Sequence, residues 1–164
     1  METNSYLLKT QKMRLQRLKA DNIIKNNILL AMGAGLIPMP FVDMIAITSI
    51  ELKMISELAR AYEFRFPTKP ASYKVLISLL GGLGPVYFSG KFHTAFKTLP
   101  FVGSAITAGL LSLSGGASVY AVGWTFRKHF ESGGTFLSSD NSILRKYFKA
   151  KYREGRTMIT QLAV

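Results

Sequence analysis

Residues 98–126 read TLPFVGSAITAGLLSLSGGASVYAVGWTF, a run of 29 positions without a charge, bounded by Lys97 and Arg127. In a chain of 164 residues and net charge +12, so long a gap marks a region of different chemistry. The run exceeds the roughly 20 apolar residues needed to cross a bilayer. It is also rich in small residues, among them Gly103, Ala105, Gly109, Ser112, Gly115, Gly116 and Ser118. Small side chains let helix backbones approach where lipid supplies no hydrophobic drive. The run therefore predicts a membrane-inserted helix over about 100–123, packed or self-associated through Gly109, Gly115 and Gly116. The competing reading is a buried hairpin, broken at Gly115-Gly116 into two core helices too short to span.

Toward the carboxyl end, Trp124 followed by Arg127-Lys128 is what a helix shows where it leaves a membrane surface. Ser132-Gly133-Gly134 then predicts a joint. A last helix is expected from Ser139 or Asp140, either of which can cap it. Leu144, Phe148, Tyr152, Gly155, Ile159 and Leu162 follow one of its faces, with Arg145, Lys149, Arg153 and Arg156 on the flank. That pattern fits a basic helix lying on a membrane surface, or a helix docked on the protein's own core.

Toward the amino end, residues 75–90 form a second uncharged stretch, interrupted by Gly81, Gly82, Gly84 and Pro85. It predicts a second inserted segment over about 73–92, kinked or re-entrant. A helix over 5–34 has a cationic first half with a thin stripe of Leu8, Leu15 and Leu18. Gly33, Gly35, Pro38 and Pro40 stop it. Pro40 suits the first turn of a helix over about 40–62, and Asp43 stabilises its positive end. Glu51 falls on the apolar stripe of that helix and is expected at its edge, reaching water. Pro40-Phe41-Val42-Asp43 recurs as Pro100-Phe101-Val102-Gly103, so Pro38, Pro40, Asp43, Pro100 and Gly103 are read as structural turns of two similar units.

The charge is uneven: +4 over residues 1–27, −2 over 28–63, +5 over 64–97 and +5 over 127–164. Basic ends around apolar middle segments predict both termini in the cytoplasm and contact with an anionic leaflet. No stacking or base-reading motif accompanies the cations, so nucleic acid is not the expected partner. The chain has no cysteine, which removes thiolate metal sites and thiol nucleophiles. His93 and His129 are too separated for metal-ligand spacing, no serine sits in a Gly-x-Ser-x-Gly elbow, and no phosphate-cradling loop is present. No cofactor and no enzymatic activity are expected.

The run LIPMPFVDMIA at 36–46, with ELKMISELARAY at 51–62 and LPFVG at 99–103, resembles the YcjF-like domain-of-unknown-function family (DUF697). The resemblance covers roughly 25–131, leaving a basic region over 1–24 and a Gly/Ser joint with a basic helix over 132–164. It implies an all-helical domain at the bacterial inner membrane, beside an Era-like or dynamin-like GTPase acting in trans. The expected fold is all-α, and the expected function is a membrane-associated scaffold or adaptor, able to form homo-oligomers. Two rival readings are a helical bundle docking on a partner protein and a membrane-permeabilising pore former.

Overall fold

Four helices account for the computed structural model, which describes residues 2–36, 42–64, 104–134 and 141–162. They are α1 (Glu2–Ala34), α2 (Val42–Ala61), α3 (Ser104–Glu131) and α4 (Asn141–Leu162). The described residues are all-helical, as the sequence predicts. The second inserted segment expected over 73–92 and the turn residues Pro38, Pro40, Pro100 and Gly103 lie outside the described residues, as does most of the internal echo.

α3 is the hub, packing against α1, α2 and α4. Asn27 of α1 lies beside Glu57 of α2, whereas Met32 lies beside Gly116 of α3 and Asp21 beside Arg127. α1 therefore runs antiparallel to α3. α4 does too, since Ile159 meets Gly116 and Gly155 meets Tyr120. The core joins Ile24, Ile28 and Ala31 of α1 to Met54, Ile55 and Leu58 of α2. α3 adds Ala117, Val119, Val122 and Phe126, and α4 adds Phe148 and Ile159.

The helix ends have local causes. α2 closes when Phe64 N–H donates to Ala59 O at 2.8 Å, with Glu63 in the left-handed region at φ 60. A non-glycine residue tolerates that conformation poorly, and here Lys12 Nζ holds the Glu63 carboxylate at 2.7 Å. α3 closes on Gly133 and Gly134, at φ 69 and 85, which a side chain would disfavour. Phe64 and Phe130 then meet at 5.1 Å between ring centroids, sealing that end of the bundle.

The uncharged run behaves differently from both readings of it. Gly115-Gly116 does not break α3, which continues to Glu131. Among the described residues, no helix is long and apolar enough to cross a membrane. That corrects the spanning expectation for 100–123. The physical reason is that its described apolar side chains, among them Ala117, Val119, Val122 and Phe126, are covered by α1, α2 and α4.

A buried polar seam and an exposed basic face

Glu51 is the first surprise. Its neighbours on the helical spacing are apolar, and it stands 6% exposed between α2 and α3 rather than reaching water. Ser118 Oγ donates to Glu51 Oε1 at 2.8 Å. Burial pushes this carboxyl up to about 7, and the Ser118 hydrogen bond offsets only part of that shift. The correction has a simple cause: Gly115 and Ser118 are small enough for α2 and α3 to close over the acid, and an added Cβ at Gly115 would stand 2.8 Å from Ile47.

The seam continues along α1. Asn27, 1% exposed, donates Nδ2 to Glu57 Oε2 at 3.0 Å and to Ile23 O at 2.9 Å. Its Oδ1 is buried with no hydrogen-bond partner among the described residues. Ser112 Oγ donates to Met32 O at 2.8 Å, tying α3 to the carboxyl end of α1.

A raised acid makes the folded state the stronger proton binder between pH 4.5 and about 7. The stability Glu51 contributes is therefore full below pH 4.5 and is lost as pH rises through about 7. One pKa unit is about 1.4 kcal/mol, so Glu51→Gln is expected to stabilise the protein at pH 8 by up to about 3 kcal/mol. At pH 4 the two proteins should be nearly equal. Urea unfolding of both across pH 4–8 checks this, and a constant difference would remove the assignment.

At the other end, Arg127 is 8% exposed although charged. It donates to Asp21 of α1 and, through Nε at 3.1 Å, to Glu131 Oε1. Tyr62 Oη donates to the same carboxylate oxygen at 3.0 Å, and Arg17 lies 3.3 Å away. Burial raises Glu131, but the hydrogen bonds from Arg127 and Tyr62 outweigh it and hold the carboxyl below its ordinary value. Trp124 carries the Arg127 guanidinium and the Lys151 ammonium, each 4.5 Å from its ring centroid. Tyr120 Oη donates to Glu154 at 2.5 Å, and Lys151 pairs with that glutamate at 2.8 Å.

The basic face is what remains turned outward. Arg145, Lys149, Arg153 and Arg156 are exposed along one flank of α4, while Leu144, Phe148, Gly155 and Ile159 are buried. The apolar side of α4 is thus docked on the protein's own core, and an added Cβ at Gly155 would stand 2.9 Å from the Tyr120 ring. Gly116 likewise faces Met32 and Ile159 of its own chain, each within 3.0 Å of an added Cβ. Gly109 meets nothing within 4 Å. Asp43 is the second residue of α2. The sequence pattern announced the basic flank, but not the Arg127 node, whose partners lie 4 to 106 residues away.

The family model described as domain of unknown function (DUF697) matches residues 2–156, more of the chain than the 25–131 on which the resemblance was read. A curated relative from Magnetospirillum gryphiswaldense, magnetosome membrane protein 22, is 32% identical over 148 residues, covering 88% of this chain and 74% of its own length. No solved structure matches the chain. With the match reaching from residue 2 into the last helix at residue 156, the chain belongs to the domain of unknown function family DUF697.

Proposed function

We propose that this chain is a non-enzymatic, membrane-associated helical scaffold, held to an anionic cytoplasmic leaflet by its exposed cations. The observation that carries the reading is the flank of Arg145, Lys149, Arg153 and Arg156, exposed on a helix whose apolar side is already occupied. Attachment is then electrostatic, with α4 lying over the head groups and keeping its apolar face in the bundle. The exposed cations Lys9, Arg14 and Lys19 on α1 add to the same attraction. The relative's name, magnetosome membrane protein 22, supports a membrane surface as the site of action. The family resemblance adds a GTPase partner working in trans, for which the bundle serves as a platform.

Each Lys or Arg near an anionic surface contributes about 1 kcal/mol. Reversing Arg145, Lys149 and Arg153 to glutamate should therefore weaken binding to vesicles of mixed neutral and anionic lipid by about 100-fold or more. The salt dependence should flatten as well. Unchanged binding would sink the attachment model. Washing native membranes first with salt and then with carbonate is expected to release the chain before detergent is added. Recovery without any vesicle affinity would instead favour the bundle that docks on a partner protein, and dye leakage would favour the pore former.

A further inference from the structure

Charge is layered along the bundle axis. Gly115 of α3 stands beside Ala31 and Ile47, and Gly116 beside Met32 and Ile159, so these residues share one level. From that level to the end where α3 begins, the described residues are 32–36, 42–46, 104–114 and 160–162. Asp43 is the only charged residue among them. Leu36 and Ile45 belong to this end and are 59% and 69% exposed. Its polar groups are turned inward. Gly35 N–H donates to Ala31 O at 3.0 Å, and Leu36 N–H to Gly33 O at 3.2 Å, closing α1. Ser112 Oγ donates to Met32 O, and the exposed Ser49, Thr157 and Thr160 donate their hydroxyls to carbonyls one turn back. Donors spent in this way do not require water.

The first exposed charges beyond this end are all cations. Ile24 and Met54 meet at Gly123, and Gly155 meets Tyr120. Next to these contacts in sequence stand Lys25, Lys53 and Arg156, each exposed. They come from α1, α2 and α4, the three helices that pack about α3. Glu51 lies slightly nearer the end, but it is enclosed beside Ser118. An apolar end collared by cations from three helices matches a sheet of anions with hydrocarbon beneath it, where long basic side chains stay at the head groups.

We propose that this end of the bundle seats in the lipid of an anionic leaflet, with Leu36 and Ile45 among the acyl chains and Lys25, Lys53 and Arg156 at the head groups. The proposal rests on the electrostatic attachment argued above and gives it a direction: the carboxyl half of α4 is the lower half. From Ser104 to the level of Ser118, α3 rises about 20 Å. Tilted to keep the flank of α4 against the head groups, that length stays within one leaflet of a hydrocarbon core about 30 Å thick. Seating of this kind needs no helix long and apolar enough to cross a membrane, and none exists among the described residues.

The chain has no cysteine, so single nitroxide labels can be placed on the full chain without ambiguity. Leu36→Cys and Ile45→Cys report on the apolar end, and Met13→Cys, at an exposed position on the amino half of α1, is the control. The probe is a vesicle of phosphatidylcholine and phosphatidylglycerol. On adding vesicles, the labels at residues 36 and 45 should become more accessible to oxygen and less accessible to a water-soluble nickel chelate. The label at residue 13 should keep its access to the chelate. Leu36→Gln combined with Ile45→Gln should weaken vesicle binding about tenfold or more and leave its salt dependence intact. Both side chains are more than half exposed, so the urea midpoint without lipid should not fall. Salt-dependent binding with both labels still open to the chelate would overturn the seating and leave the electrostatic attachment standing. No vesicle binding at all would overturn both. A lower urea midpoint in the glutamine variant would also overturn the seating, by showing that the chain covers this end itself.

Discussion

Phe148→Ala is expected to destabilise the protein by about 3–5 kcal/mol, the range for emptying a buried aromatic site. Phe148 is 1% exposed and heads the set of largest fully buried side chains. It sits on the face of α4 that also buries Leu144, Gly155 and Ile159. α4 meets the rest of the bundle chiefly through α3, so the loss should be read first as detachment of this one helix. Hydrogen exchange is expected to show residues 141–162 opening at lower free energy than α1 to α3. Phe148→Leu, which keeps most of the volume, should cost far less. A change below about 1 kcal/mol for the alanine variant would mean that α4 is not seated on the core.

Arg127→Ala is the second large effect, about 2–4 kcal/mol. Removing one partner of a buried ion pair costs about 3–5 kcal/mol when the other is left unpaired and dry. Here the partners are less enclosed: the Asp21 and Glu131 side chains are 49% and 26% exposed against 9% for Arg127, which lowers the figure. Arg17 and Tyr62 also continue to hold Glu131. Arg127→Lys keeps the charge but loses the planar fork and the stack on Trp124, and should fall between the two proteins. A double-mutant cycle with Asp21→Asn measures the coupling between α1 and α3. Additive losses would show that Arg127 acts without Asp21, through Glu131 and Trp124 of its own helix.

Much of this fold was legible because helix punctuation is local. Gly33 and Gly35 marked the end of α1, Gly133-Gly134 the end of α3, and the stripe from Leu144 to Ile159 the inner face of α4. What misled was the meaning of an uncharged run. Length and small residues suit a helix in lipid and a helix enclosed by three others equally well, because both environments are dry. The difference lies in what surrounds Val119 and Val122, and those neighbours come from α1, α2 and α4, far away in sequence. Glu51 was misjudged for the same reason. A carboxylate on an apolar stripe looks like an edge residue until Ser118, 67 positions later, closes over it. The basic flank of α4 needed no such information, since exposed cations follow from helical spacing alone.

The place of α3 in the chain order has a consequence for how the protein is made. α1 and α2 emerge from the ribosome first, with Ile24, Met54 and Leu58 facing a helix that does not yet exist. About seventy residues separate the end of α2 from the end of α3, which at 5–20 residues per second is roughly 4–14 s of synthesis. For that interval the nascent chain displays the greasy inner sides of α1 and α2 uncovered. Newborn chains should therefore be strong clients of holding chaperones until residue 131 has cleared the exit tunnel, and a ribosome stalled just short of it should retain them.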